Sequence, residues 1–259
     1  MRGFLHLPGA PNGNALVLTH GAGSNAQAPL LIALAETFSA AGFTVLRCDL
    51  PYRQTRSFGP PGPGDAARDR AGVKNAIAAV RKVISRDGGA PQPALSPSKG
   101  LADFARCGDS EAAVASPFSR FVREGGNSPS NDQNESTGNG HIFLAGQSYG
   151  GRQSSILCSE EPELVSGLLL LSYPLHPPRR PEQQRTAHLP SLRTPTLFVH
   201  GTRDPFGSIA EIEQALKMIP APTKLLAVEG AGHDVGFKGK AKREELPLAV
   251  LEEFEKFMG

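Results

Sequence analysis

His141–Ser159, HIFLAGQSYGGRQSSILCS, changes character halfway along its length. Ile142 to Ala145 is an uninterrupted apolar run and reads as a short buried strand. Gly146-Gln147-Ser148-Tyr149-Gly150 follows, and after it apolar residues at helical spacing, Ile156 and Leu157. Strand, G-x-S-x-G and helix in that order is the context a nucleophile elbow requires. So sharp a turn forces the serine into a strained backbone conformation, and Gly146 and Gly150 must be small to avoid collision across it. The serine oxygen is left exposed above the sheet. The next amide sits at a helix N-terminus, where it can stabilise an anion. The bare pattern is weak evidence in a chain with 29 glycines among 259 residues. A glycine-rich turn that only packs would look the same, so matching partners elsewhere must decide.

Composition narrows the choice. A chain of 259 residues suffices for one well-buried α/β domain or two small ones. Hydrophobic content of 39% and charged content of 20% suit a soluble globular protein. A net charge of +2 gives no case for a nucleic-acid or membrane partner. The basic clump Lys238–Arg243 reads as a solvated face ahead of an acidic helix. Cys48, Cys107 and Cys158 are odd in number and lack a C-x-x-C pair, which argues against a disulfide framework or a zinc site. No metal or cofactor is expected. The start, MRGFLHLPGAP, has no long apolar core and is not expected to be a signal peptide. The longest apolar runs, GLLLLSY at Gly167–Tyr173 among them, fall short of a membrane span. The expected location is cytoplasmic.

Along the chain, strands alternate with helices. Strands are expected at Phe4–Leu7, Ala15–Thr19, Thr44–Cys48, Ile142–Ala145, Gly167–Ser172, Thr196–His200 and Lys224–Val228. Helices are expected at Ala28–Ala41, Asp69–Ser85, Ile209–Met218 and Leu246–Phe257, besides the one after the elbow. Gln54–Gly64 reads as a glycine- and proline-rich loop. The alternation implies an α/β fold, a mostly parallel sheet covered by helices on both faces. Residues 90–140 break the rhythm with scattered prolines, serines, glycines and asparagines, and read as a disordered or loosely ordered insertion in a single domain spanning 1–259. Short helices near Glu111–Ala115 and Phe118–Glu124 are conceivable within it. The insertion joins a helix to a strand. Such connections emerge at the amino ends of parallel strands, whereas ligands bind at the carboxyl ends, so a lid role is disfavoured.

A serine hydroxyl needs a base within hydrogen-bond reach and an acid that orients the base. Enzymes with this elbow place serine, acid and histidine in that chain order. His176, His188, His200 and His233 lie downstream of Ser148. Only His233 follows the final strand, in a loop rich enough in glycine to bring an imidazole over the elbow. It is favoured, with His200 and His176 as rivals. Asp204, just beyond the strand TLFVH, is the favoured acid, because Asp234 adjoins His233 in sequence and is poorly placed to accept from its ring. Oxyanion donors should be the amide of Tyr149 and an amide of the His20-Gly21-Ala22-Gly23 loop, with that of Ala22 the best candidate. That loop lacks the glycine spacing of a phosphate cradle. Tyr52, Tyr173, Leu175, His176 and Phe206, at the carboxyl ends of strands, are candidate substrate-binding walls, although local loop packing would explain them as well. Arg152 would either bind an acidic substrate group or, more in keeping with its place in a helix, pair with a carboxylate of the protein.

HGAGSN at His20, GQSYGGR at Gly146, SYPLHPP at Ser172, GTRDPFG at Gly201 and EGAGHD at Glu229 together resemble the α/β-hydrolase superfamily. The nearest likeness is to its small, cap-less, dienelactone-hydrolase-like branch, and within that to a bacterial group related to a subunit of the non-specific-lethal chromatin complex. The resemblance skips residues 90–140. It implies an α/β-hydrolase fold with no cap domain, Ser148, Asp204 and His233 as a triad, and Ala22 and Tyr149 as oxyanion donors. The first loop has fewer glycines than an HGGG motif. The lack of a cap implies a shallow, open site for small or extended acyl substrates. The expected function is a serine hydrolase cleaving a carboxylic ester or thioester, its partner a small molecule, with the oligomeric state open. A non-catalytic interaction module on the same scaffold is the rival, since fold does not dictate activity.

Overall fold

A computed structural model of the chain describes residues 2–87 and 140–259. Within these residues seven strands form one sheet: β1 (Gly3–His6), β2 (Ala15–Thr19), β3 (Thr44–Cys48), β4 (Ile142–Gln147), β5 (Gly167–Leu171), β6 (Thr196–Gly201) and β7 (Thr223–Val228). Their order across the sheet is β1-β3-β2-β4-β5-β6-β7. Among the described residues only the edge strand β1 runs antiparallel, pairing Gly3 with Cys48 and His6 with Val45. The reversal of order around β2 and β4 opens a crevice at their carboxyl ends, where open parallel sheets bind ligands.

The five strands β2 to β6 are buried along their lengths, because helices cover both faces. Successive residues therefore feed two cores. Val17, Leu144 and Leu170 pack with Val73, Ile77 and Val80 of α3 (Asp65–Asp87), and with Leu157 of α4 (Tyr149–Glu160) and Ile212 of α5 (Ile209–Leu216). Leu16, Phe143 and Leu169 pack on the other face with Leu34 and Phe38 of α1 (Pro29–Ala40) and with Val250 and Phe254 of α6 (Lys240–Met258). This is the α/β-hydrolase arrangement. The β5–β6 connection holds one short 3-10 turn, Leu189–Ser191, so no cap domain stands there.

Several boundaries differ from expectation. A short helix, α2 (Pro51–Thr55), occupies the start of the expected loop; Pro51 at its first turn has its φ preset and no amide to satisfy. Helix α3 begins four residues early, at Asp65, whose carboxylate accepts from the Gly62 amide at 2.6 Å. Helix α6 starts at Lys240 and carries Pro247 inside it, so the end of the basic clump belongs to the helix and not to a face ahead of it. Residues 90–139 of the insertion, Cys107 and both conceivable short helices lie outside the described residues. Among the described residues no helix is long and apolar enough to cross a membrane.

One face of the sheet is closed by an aromatic cluster. The Phe254 ring lies 5.2 Å from that of Phe38, 5.0 Å from Phe143 and 6.2 Å from Phe43, all at edge-on angles. Truncating a buried phenylalanine removes its transfer energy and leaves a cavity. Phe254→Ala is expected to cost about 3–5 kcal/mol, read from the shift of a urea unfolding midpoint. A loss under about 1 kcal/mol would mean that α6 is not anchored through this ring.

Candidate active site

The elbow has the strain expected of it. Ser148 sits at φ 51° and ψ −115°, a region that costs a non-glycine residue about 1–3 kcal/mol. Neighbours hold it there: its amide donates to the Leu171 carbonyl at 2.8 Å, and its carbonyl accepts the Arg152 amide at 2.9 Å. A Cβ on Gly146 would lie 2.4 Å from the Gly151 nitrogen, and one on Gly150 would lie 2.5 Å from the His20 carbonyl oxygen. Glycine is therefore obligatory at both positions.

Three distant segments meet over this turn. His233 Nε2 lies 2.8 Å from Ser148 Oγ, and its Nδ1 lies 2.9 Å from Asp204 Oδ2 and 3.1 Å from Oδ1. A carboxylate can only accept, so Nδ1 carries the ring proton and Nε2 is free to accept from the serine. Asp204 is buried, and its Oδ1 also accepts the Phe206 amide at 2.9 Å. The histidine loop is tied to the end of β6 by two backbone bonds, Arg203 to the Ala231 carbonyl at 2.8 Å and Thr202 to the Val228 carbonyl at 3.1 Å. A Cβ on Gly201 would come within 2.3 Å of the Ala231 oxygen, so the two loops can close only on glycine.

The rival histidines are engaged elsewhere. His200 is fully buried, its Nε2 donates to the Gly207 carbonyl at 2.8 Å, and burial lowers its pKa. His176 is nearly buried, with Nδ1 on its neighbour's carbonyl, Pro177 O, at 2.8 Å and Nε2 3.4 Å from Glu211. Asp234 turns back on its own loop to accept from Gly236 at 3.1 Å.

Gly21 abuts Ser148: a Cβ there would touch the Ser148 Cβ at 3.4 Å. The loop after β2 is thus beside the serine. Among the described residues, neither the Ala22 nor the Tyr149 amide donates to another group of the protein.

The expected substrate walls need correction. Tyr52, Tyr173 and Leu175 are buried in the core and offer a ligand no surface. The hydroxyl of Tyr52 reaches the carbonyl of Ala22 at 2.7 Å, so it lies behind the first loop, and that of Tyr173 donates to the Arg185 carbonyl at 2.8 Å. His176, 5% exposed, is also withdrawn. Phe206 alone stays partly open beside the site, its ring 4.2 Å from that of His233. Arg152 meets no carboxylate among the described residues. Its Nε is buried without a partner, and its charge is felt by Tyr173, Arg185 and His188. Asp69, which the sequence reading passed over, is fully buried and bonded to both Tyr52 and Tyr149. A signal existed: Asp69 shares the helical stripe of Val73, Ala76 and Val80, where a carboxylate is out of place unless it is bonded. No group of three His, Cys, Asp or Glu side chains among the described residues could hold a metal ion.

Comparison with known proteins agrees with the fold. A profile described as "Alpha/beta hydrolase domain" matches residues 127–257. An alpha-beta serine hydrolase homologue from Coxiella burnetii superposes with a TM-score of 0.62 at 14% identity, covering 97% of this chain and 90% of that one. A dienelactone hydrolase from Anabaena variabilis superposes at 0.55 with 20% identity, covering 98% and 91%. At the level of sequence, polyketide synthase ThaQ of Burkholderia thailandensis is 47% identical over 68 residues, 26% of this chain and only 3% of that much longer protein.

Against α4, His188 Nε2 lies 2.8 Å from Ser155 Oγ, and burial together with the Arg152 charge lowers its pKa from the ordinary 6.5 to about 4. The folded state thus takes up this proton later than the unfolded state does. The stability it contributes is complete above pH 6.5 and is lost as pH falls towards 4. Melting temperatures between pH 7.5 and 5 should fall less steeply in His188→Gln than in the wild type; equal slopes would rule His188 out as the source.

Proposed function

The chain belongs to the α/β-hydrolase domain family, and on that premise we propose that it is a serine hydrolase cleaving a carboxylic ester or thioester through an acyl-enzyme. The observation that carries this reading is the unbroken line from Ser148 Oγ through the imidazole of His233 to Asp204, at 2.8 and 2.9 Å. His233 takes the serine proton at Nε2 as Oγ attacks the acyl carbon. Asp204 holds the ring through Nδ1 and supports the positive charge it acquires. The amides of Ala22 and Tyr149 receive the oxyanion. On collapse of the tetrahedral intermediate, His233 returns the proton to the departing alcohol or thiol. A water activated by the same imidazole then releases the acid and restores the serine.

The finer family likeness, to the bacterial group related to a non-specific-lethal complex subunit, is part of this proposal and rests on the motifs HGAGSN, GQSYGGR and SYPLHPP. So is a cytoplasmic location, favoured by the free, buried thiols of Cys48 and Cys158. The small-molecule ester or thioester is the only partner the reading requires.

Ser148→Ala should abolish hydrolysis of a short-chain p-nitrophenyl ester while leaving the melting temperature close to wild type. A fluorophosphonate probe should label the wild type at Ser148 alone. Asp204→Asn should keep the geometry and lower kcat by about 10⁴-fold, because the imidazole is then held in the wrong tautomer. Turnover that survives in Ser148→Ala, or a wild type that takes no label, would end the proposal; the second result would favour an interaction module.

A further inference from the structure

The two amides assigned to the oxyanion sit on different elements, one in the loop after β2 and one at the start of α4. Something must set their separation, since donors act on an oxyanion only within a few tenths of an ångström of the right position. We propose that Asp69 is the positioning residue of the oxyanion hole, its two carboxylate oxygens bracing the two donor-bearing segments against each other. The proposal rests on the serine-hydrolase reading above and adds to it a residue that neither the motifs nor the triad includes.

The connections are short and complete. Asp69 Oδ2 accepts the hydroxyl of Tyr149 at 2.8 Å, and the amide of that same residue is one donor. Asp69 Oδ1 accepts the amide of Tyr52 at 2.9 Å. Tyr52 then reaches the other donor: its hydroxyl lies 2.7 Å from the Ala22 carbonyl and 3.2 Å from that of Gly21. The rings of Tyr52 and Tyr149 meet edge to face with centroids 5.8 Å apart, which closes the circuit. Asp69 and Tyr52 at the centre of this circuit have no contact with solvent, whereas Ala22 and Tyr149 at its two ends stay partly open.

Holding those carbonyls aims an amide. In a trans peptide the C=O and N–H point in opposite directions, so the direction of the Gly21 carbonyl sets that of the Ala22 N–H. Three donors converge on the Gly21 carbonyl or lie close to it. One is the Ser24 amide at 3.1 Å and one is the Tyr52 hydroxyl. The third is His20 Nδ1 at 2.9 Å; it carries the proton because Nε2 accepts the Leu50 amide at 3.0 Å. On the far side of Ala22, its own carbonyl is held by Tyr52 and by the Arg53 guanidinium at 3.1 Å. Both peptide planes flanking Ala22 are thereby fixed. Tyr52 is common to both, and Asp69 anchors the backbone of Tyr52.

A structural role alone would lower stability or the fraction of active molecules. A positioning role lowers the rate at each intact site. The experiment therefore measures kcat and KM for a p-nitrophenyl ester per fluorophosphonate-titrated serine, together with the inhibition constant of phenylboronic acid, whose tetrahedral adduct places an oxygen in the oxyanion hole. In Asp69→Ala, kcat per titrated site should fall about tenfold to a hundredfold, short of the roughly 10²–10³-fold cost of deleting a donor outright. KM should stay near wild type, and the boronate inhibition constant should rise by the factor that kcat loses. Asp69→Asn keeps an oxygen for the Tyr52 amide and should recover part of the loss. Tyr52→Phe and Tyr149→Phe each remove one hydroxyl, and they carry the test if Asp69→Ala fails to fold; both should show the same paired change. Wild-type kcat and boronate binding at the titrated sites of these variants would overturn the role of Asp69. A wild type that takes no fluorophosphonate would instead remove the serine-hydrolase reading, and this proposal with it.

Discussion

The strained backbone of Ser148 is the constraint around which the rest of the structure is arranged. A residue at φ 51° and ψ −115° stays there only if its surroundings leave no alternative. Here β4 delivers the chain into the turn from the middle of a buried sheet, and α4 carries it away at once. The amide of Ser148 is held by the end of β5 and its carbonyl by the first turn of α4. Thr19 and His20, at the end of β2, press against the flanking glycines closely enough to exclude any Cβ. The cost of one strained residue, about 1–3 kcal/mol, is small beside the burial of five apolar strands on two faces. The sheet can bear it.

That arrangement accounts for how three side chains are brought together along the carboxyl edge. The serine comes from the centre of the sheet, the carboxylate from the loop after β6, and the imidazole from the loop after β7. The last two loops are bound to each other through Gly201, Thr202 and Arg203 before either approaches the serine, so Asp204 and His233 arrive as a pair. On the other side of the serine, the loop after β2 is bound to α2 through Tyr52 and Arg53. Asp204 and His233 thus form one braced unit and the loop after β2 another, with the elbow between them. In the serine-hydrolase reading we propose, such preorganisation lets a weak nucleophile and a transient negative charge be met without rearrangement at the moment of reaction.

Burial sorts the polar residues of this edge into those that support and those that remain open. Tyr52, Tyr173 and His176 stand where substrate contacts were anticipated, yet each directs its polar atoms at the backbone or, for His176, partly at Glu211. A tyrosine is large enough to fill a core and polar enough to hold a loop, and at the end of a strand the two uses look alike in a linear sequence. Phe206, by contrast, keeps a partly open ring against the imidazole.

What the sequence determined by itself was whatever depends on local period and local sterics. Strand–helix alternation is written in apolar spacing, the elbow in the two glycines around Ser148, and the chain order of serine, acid and histidine in the loops that follow three strands. The starts of α3 and α6 were less legible: α3 already begins at Asp65, and α6 begins at Lys240 and takes Pro247 inside it. Only the tertiary structure decided which histidine turns towards Ser148 and that Tyr52 and Tyr173, expected as walls, are props. It alone decided that a carboxylate on an apolar helical stripe joins two loops. Those choices rest on distances between residues from 12 to 85 positions apart, such as Tyr173 and Arg185 at one extreme and Ser148 and His233 at the other. A local pattern carries no record of such distances, since they are set by how two cores close on opposite faces of one sheet.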